Sequence, residues 1–186
     1  MREVIDFDEI DEHGPQSYDA TFNDITVADV DRFEVTGVGP VRIEASAEKG
    51  GPHEYVVDGS VQFTADFDCS RCLEPYPFAN TSNFHVRFRP RPAGTPENEE
   101  VEITEAEELD VEFYIEREVP LRDLALEQVQ LSIPMKPLCD ENCLGLCPNC
   151  GANRNRESCR CEEPATDERW GALAGFREQL AKKKEV

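Results

Sequence analysis

The 186 residues include 40 acidic and 19 basic side chains, a formal net charge of −21. That length suits one domain with an appendage, and so acidic a surface repels phosphate backbones while suiting a basic protein partner, or simply solubility in a salty cytoplasm. The opening stretch MREVIDFDEIDEHG lacks the apolar run of a signal peptide, and nothing approaches the ~18 apolar residues of a membrane helix; a cytoplasmic chain with reduced thiols and no membrane contact is expected.

The charge is unevenly spread. Residues 136–186 hold nine basic and nine acidic side chains, which leaves 31 acidic and 10 basic in residues 1–135, the whole excess. This divides the chain into an acidic, β-rich body (1–135) and a cysteine-rich tail (136–186).

Along the body, VRIEA puts Val41, Ile43 and Ala45 on one face, SVQFTADF repeats this with Val61, Phe63, Ala65 and Phe67, and FHVRF with Phe84, Val86 and Phe88. Period-two alternation of branched and aromatic residues predicts half-buried antiparallel strands. EKGGPH (48–53), Asp58-Gly59 and EPYP (74–77) are read as turns. RPRPAGTPENEE (89–100) reads as a loop. From Glu97 to Glu118 eleven acidic residues accompany the single basic Arg117, the mark of a solvated segment, within which LDVEFYI (109–115) predicts one more strand. At LRDLALEQVQLSI (121–133) the period changes: Leu121, Leu124, Ala125 and Val129 recur at helical intervals, Pro120 suits the first turn, and Pro134 and Pro137 end the element. Its last residues, VQLSI, also fit a strand. In the tail, TDERWGALAGFREQLAKKK predicts a short terminal helix capped by Thr166 or Asp167, with Trp170, Leu173, Phe176 and Leu180 as its apolar stripe. The expected architecture is α+β: mainly an antiparallel sheet or small barrel, one long helix, and a zinc-binding tail packed back on the sheet.

Six of eight cysteines lie in residues 139–161. Cys147-Pro-Asn-Cys150-Gly151 has the form of a zinc knuckle, in which two thiolates three positions apart face one tetrahedral ion and the glycine lets amide N–H groups face the sulfurs. Cys159-Arg-Cys161 is near enough to complete four-coordination, since residues two apart in an extended stretch face the same way. Cys139-x3-Cys143 and the distant Cys69-Ser-Arg-Cys72 complete a second site if the tail folds back on the sheet, and the binding energy of that metal becomes folding energy. Three alternatives stay open: a single site, in which Cys147 and Cys150 join either Cys159 and Cys161 or Cys139 and Cys143; an iron–sulfur cluster, which also uses four cysteines; and free or redox-active thiols. Pro75 and Pro77 make the positions after Cys72 a turn, which argues against the helix-start setting of a redox CxxC. The histidines His13, His53 and His85 sit in no motif, and no nucleophile elbow, phosphate loop or metalloprotease helix is present. With four thiolates per zinc no coordination position is open, so the metal is read as structural. No enzyme and no small-molecule substrate are expected.

SIPMKPLC (132–139) running into CLGLCPNCGANRN (143–155), then CRCE and DERWGAL, resembles the C-terminal signature of the large ribosomal RNA subunit accumulation protein (YceD) family, and FDCSRCLEPYPF (67–78) resembles its upstream marker. The resemblance covers roughly residues 15–180. It implies a bacterial cytosolic factor in ribosome biogenesis, with chloroplast relatives, that supports synthesis, processing or accumulation of 23S ribosomal RNA without catalysis. It also implies that Cys69, Cys72, Cys139 and Cys143 form one unit and that Cys147, Cys150, Cys159 and Cys161 form a separable second. The acidic stretch around 97–108 matches no part of the motif.

Two routes connect an acidic chain to RNA: its body holds a basic ribosomal protein or pre-large-subunit particle, or Arg154, Arg156 and Arg160, with Lys182–Lys184, touch ribosomal RNA phosphates locally. Thiolate-rich zinc sites are themselves anionic, which weakens the second route. A zinc-ribbon module acting in transcription and a CxxC thiol oxidoreductase are the functions of other classes that the cysteines leave open.

Overall fold

The computed structural model describes residues 3–30, 35–92, 94 and 110–161. Five strands form one sheet in the order β2-β3-β4-β5-β6: β2 Gln16–Phe22, β3 Val35–Gly51, β4 Glu54–Asp68, β5 Pro75–Pro90 and β6 Val111–Tyr114. Short β1 (Val4–Asp6) and β7 (Glu118–Pro120) pair separately, and the described residues also form three helices, α1 (Phe7–His13), α2 (Val27–Val30) and α3 (Leu121–Ser132). The sheet is open rather than closed into a barrel.

The alternation predicted for the long strands is the burial observed. Val41, Ile43, Val61, Phe63, Phe67, Phe84, Val86 and Phe88 are buried, and the residues between them, among them Asp19, Arg42, Glu44, Asp58 and Asp66, are exposed on the opposite face. The core therefore lies on one side of the sheet. Helix α3 lies against β3, β4 and β5 through Leu121, Leu124, Ala125, Gln128 and Val129. Pro120 is the residue before its first turn, still extended at φ −65°, ψ 124°, and VQLS continues the helix instead of becoming strand.

Four features depart from the sequence reading. Asp58-Gly59 is no turn: it lies inside β4, Asp58 opposite Ser46 and His85, Gly59 opposite Ala45 and Phe84. A Cβ on Gly59 would stand 2.5 Å from the Glu44 carbonyl oxygen and 2.6 Å from the Phe84 ring, so glycine is there for close packing between three strands. The β4–β5 connection is Cys69–Glu74, which shares only Glu74 with EPYP, and Pro75 and Pro77 belong to β5. β6 joins β5 in parallel, Phe88 opposite Glu112. The acidic N-terminus also folds: Oδ1 of Asp6 caps α1 by accepting from the N–H of Asp8 (2.8 Å) and Glu9 (3.3 Å), and Gly14, at φ 80°, ends the helix. Phe7 from that helix stacks on Tyr55 with ring centroids 4.1 Å apart. β1 pairs antiparallel with β7 and ties this segment to the start of α3.

The terminal helix expected around Trp170 and the whole acidic stretch at 97–108 lie outside the described residues. Among the described residues no helix is long and apolar enough to cross a membrane.

Candidate metal centres

Strand β4 ends by delivering Cys69 into a tight turn. The Leu73 N–H donates to the Cys69 carbonyl (2.8 Å) and the Cys69 N–H to the Glu74 carbonyl (3.0 Å); Leu73 adopts the left-handed conformation, φ 59°, that closes the reversal. The segment after α3 then crosses this turn. Ser70 donates to the Pro137 carbonyl (2.9 Å) and Leu146 to the Arg71 carbonyl (3.1 Å), while the Arg71 guanidinium donates to the carbonyls of Glu141 (3.0 Å) and Cys143 (2.9 Å). Gly145 passes so close that a Cβ would lie 3.0 Å from the Arg71 carbonyl oxygen, at a φ of 70°. These bonds bring Cys139 and Cys143 onto Cys69 and Cys72.

The eight cysteines form two groups of four, Cys69/Cys72/Cys139/Cys143 and Cys147/Cys150/Cys159/Cys161, each with its sulfurs within 4.8 Å of one another. In the first, Cys69–Cys143 is 3.8 Å and Cys72–Cys139 is 3.7 Å. A tetrahedral zinc with ~2.3 Å bonds to sulfur places its ligands ~3.8 Å apart. A disulfide needs ~2.05 Å, so these sulfurs stand at ligand spacing, not bonding spacing. The second group is tighter: Cys150–Cys159 is 3.5 Å and Cys147–Cys159 is 3.3 Å. Here the Cys147 N–H donates to the Ala152 carbonyl (2.8 Å) and the Gly151 N–H returns to the Cys147 carbonyl (2.9 Å). Gly151 sits at φ 74°, the knuckle conformation for which glycine is suited.

The electrostatics of both clusters suit a bound cation. At Cys69, burial opposes ionisation, but N–H groups of Cys139, Cys72 and Arg71 outweigh it and hold the thiol down at about 6. At Cys147 the N–H groups of Cys150 and Asn149 also hold the thiol down at about 6. Their neighbours go the other way: Cys139 is pushed up to about 12 by desolvation and by its hydrogen bonds to the other three thiols, and Cys161 to about 12 by hydrogen bonds from Cys159 and Cys150. Each cluster thus ionises one thiol readily and resists a second, because thiolates this close repel. A divalent ion at the centre would remove that resistance and allow all four to ligate. The donor sets and spacings fit zinc.

The two sites differ in exposure. Cys69, Cys72 and Cys143 are buried and only Cys139 is exposed; in the second group only Cys147 is buried, with Cys150 and Cys161 exposed. They are also linked by a residue the sequence reading passed over. Asn155 follows the knuckle, yet its side-chain amide donates to the Cys143 sulfur of the other cluster (3.2 Å) and its Oδ1 accepts from the Leu144 N–H (2.7 Å). Arg71, the x in Cys69-Ser-Arg-Cys72, similarly ties the crossing segment through its carbonyl and guanidinium. Its only signal was its place inside a ligand motif. Arg154, Arg156 and Arg160 are all exposed on the knuckle loop; Arg156 pairs with Glu74 at 2.7 Å.

Residues 57–177, which contain all eight cysteines, match the family model "Large ribosomal RNA subunit accumulation protein YceD". The chain belongs to the YceD family. A chloroplast YceD homolog of Arabidopsis thaliana, named a large ribosomal RNA subunit accumulation protein, is 27% identical over 68% of this chain and 46% of its own length. An uncharacterized protein of Mycobacterium tuberculosis is 31% identical over 72% of this chain and 58% of its own, and the Zea mays chloroplast YceD homolog 27% over 57% and 43%. The chain thus spans about half the length of these relatives. No solved structure matches it.

Proposed function

We propose that this YceD-family chain is a cytoplasmic, non-enzymatic factor in ribosome biogenesis that supports accumulation of 23S ribosomal RNA. Its acidic body holds a basic ribosomal protein, or the basic surface of a pre-large-subunit particle, while two structural zinc ions fix the cysteine-rich segment to the sheet. The observation that carries this is the pairing of family membership with the charge distribution. The solvent face of the sheet exposes Asp19, Glu44, Asp58, Asp66 and Asp68, and its Arg42 is already engaged by Asp19 (2.9 Å) and Glu44 (2.8 Å). Such a face attracts cationic protein and repels phosphate. Zinc ligated by four thiolates has no position left for water or substrate, which supports a structural role.

A direct contact with RNA is the second reading, favoured by Arg154 and Arg160, which are exposed and carry no ion pair among the described residues. A zinc-ribbon module in transcription would use the same arginines. Thiol exchange is least favoured, because a fully buried Cys69 sulfur offers a disulfide substrate no approach. Crosslinked capture of the full chain from its own cells, washed at high salt, separates the first two readings. Recovery of a basic large-subunit protein is expected; recovery of ribosomal RNA without ribosomal protein would overturn the protein-partner route.

A further inference from the structure

Between α3 and the β5–β6 edge lies a cleft of about 510 Å³ whose walls include Phe84, Val86, Glu112, Glu127, Gln128 and Leu131. Its composition is unusual for a solvated edge. Glu112 stands opposite Phe88 on the core side of β6, where α3 covers it, and its carboxyl hydrogen-bonds that of Glu127. Gln128, the one buried polar or charged side chain among the described residues, is 7% exposed; its side-chain amide makes no hydrogen bond among them, and only its backbone carbonyl is used, accepting from the Ser132 hydroxyl at 2.6 Å. Leu131, by contrast, is 72% exposed at the cleft wall. A half-buried carboxyl paired with an exposed one, a buried glutamine whose amide has no hydrogen-bond partner among the described residues, and a bare aliphatic wall form an incomplete polar constellation, to which no lysine or arginine among the described residues contributes.

We infer that this cleft receives an arginine side chain from a basic protein segment. The guanidinium lies between the Glu112 and Glu127 carboxylates and donates to the Gln128 side-chain oxygen, and the aliphatic stem covers Leu131. A guanidinium offers five donors in a planar fork, so it can satisfy two carboxylates and an amide oxygen together. The volume favours an organic side chain with part of its backbone over a bare ion. The other charged groups at the cleft are Asp110, also an acceptor, and His85, whose Nδ1 is held 2.7 Å from Asp58 on β4. Entry of the cation changes the protonation of the pair. Burial and the neighbouring Glu127 push Glu112 up to about 8, so near neutrality it keeps its proton; a guanidinium favours the ionised form, and that proton leaves to solvent.

This deepens the basic-partner reading and rests on it for biological meaning, but a defined peptide tests it separately. The full chain is titrated with acetyl-Gly-Arg-Gly-amide in 0.15 M salt and followed by amide NMR shifts, with acetyl-Gly-Gln-Gly-amide as the neutral control. The shifts should centre on Glu112, Glu127, Gln128 and Leu131, and affinity should rise from pH 6 to pH 8.5. Glu112→Gln and Glu127→Gln should each weaken binding at least about tenfold. Glu48→Gln, which removes the same charge from exposed β3, should change it less than about twofold. Shifts spread over the acidic sheet face, or equal weakening by Glu48→Gln, would overturn the assignment and leave only general attraction. Saturation of the cleft by millimolar Ca²⁺ or Mg²⁺ with no arginine effect would overturn it in favour of a metal. Arginine binding in the cleft with no basic protein recovered from cells would instead count against the basic-partner reading alone.

Discussion

Replacing Cys69 and Cys72 together with serine tests the first metal site as a staple between the end of β4 and the segment after α3. The ligand pairs it joins are 74 and 67 residues apart in sequence. Treated as a crosslink, closing a loop of that length removes about 4 kcal/mol of chain entropy from the unfolded state. Native stabilities are ~5–15 kcal/mol, so the loss is severe. For a chain of this size, ~2–4 °C per kcal/mol converts it to a fall of about 10 °C or more in Tm. Elemental analysis should show two zinc ions falling to one, and a thermal melt should show the drop. Serine also buries a hydroxyl at Cys69, which by itself can cost ~1–3 kcal/mol. The comparison that isolates the metal is wild type stripped of zinc, which should melt no higher than the variant. Two zinc ions retained in the variant, or stripped wild type melting where the holoprotein does, would refute the staple.

The exposed second cluster should behave differently. Its sulfur contacts close intervals of only 9 and 12 residues, for which the same crosslink arithmetic gives about 3 kcal/mol, so Cys150→Ser/Cys161→Ser should lose one zinc and lower Tm by clearly less than the loss of the first site does. A metallochromic chelator should accordingly withdraw zinc in two phases, the fast one absent from that variant. Asn155→Ala removes a donor to the Cys143 sulfur, and zinc affinity at the buried site should fall ~10-fold or more, as read by competition with a chelator of known strength; no change would make Asn155 a loop residue only. Glu112 sets a pH dependence. Its folded value, about 8, lies above the ordinary carboxyl range, so the folded chain binds more protons than the unfolded one between pH ~4.3 and about 8. Stability should therefore fall as pH rises through that window and level off above it. Solvent reaches the cleft and screens the pair, so the total is about 1–2 kcal/mol. Denaturant melts of wild type and Glu112→Gln should converge near pH 4.5, with the variant the more stable at pH 8.5.

The parts of this fold legible in the sequence are those where a local pattern and the tertiary result agree. The alternation at Val41–Ala45, Val61–Phe67 and Phe84–Phe88 names the buried face directly, and the helical spacing of Leu121, Leu124, Ala125 and Val129 names the stripe that covers it. Cysteine spacing points to paired thiols but leaves open which pairs join; folding gathers the eight sulfurs into two groups of four, the partition that the family resemblance implies. The misread elements share a different cause: their signals are local but their roles are not. Asp58-Gly59 has the chemistry of a hairpin turn, yet Gly59 is needed because Phe84 crosses it from the next strand. The orientation of β6 has no local signature. Helix α1 was hidden among acidic residues because only Phe7 and Ile10 of its seven residues are buried. In the sequence Glu112 is one more charge in a solvated run; only the pairing with Phe88 and the approach of α3 make it a half-buried acid. Asn155 and Arg71 escaped for the same reason, since each acts across the chain on a cluster that folding assembles.

The most direct test of the proposed role is the ratio of 23S to 16S ribosomal RNA in cells of the source organism lacking this gene, complemented with wild type, with Cys69→Ser/Cys72→Ser, or with an empty vector. The ratio should fall without the gene, recover with wild type, and stay low with the variant that cannot staple its cysteine-rich segment to the sheet. A ratio unchanged by deletion would contradict a role in large-subunit RNA accumulation, whatever the cysteines hold.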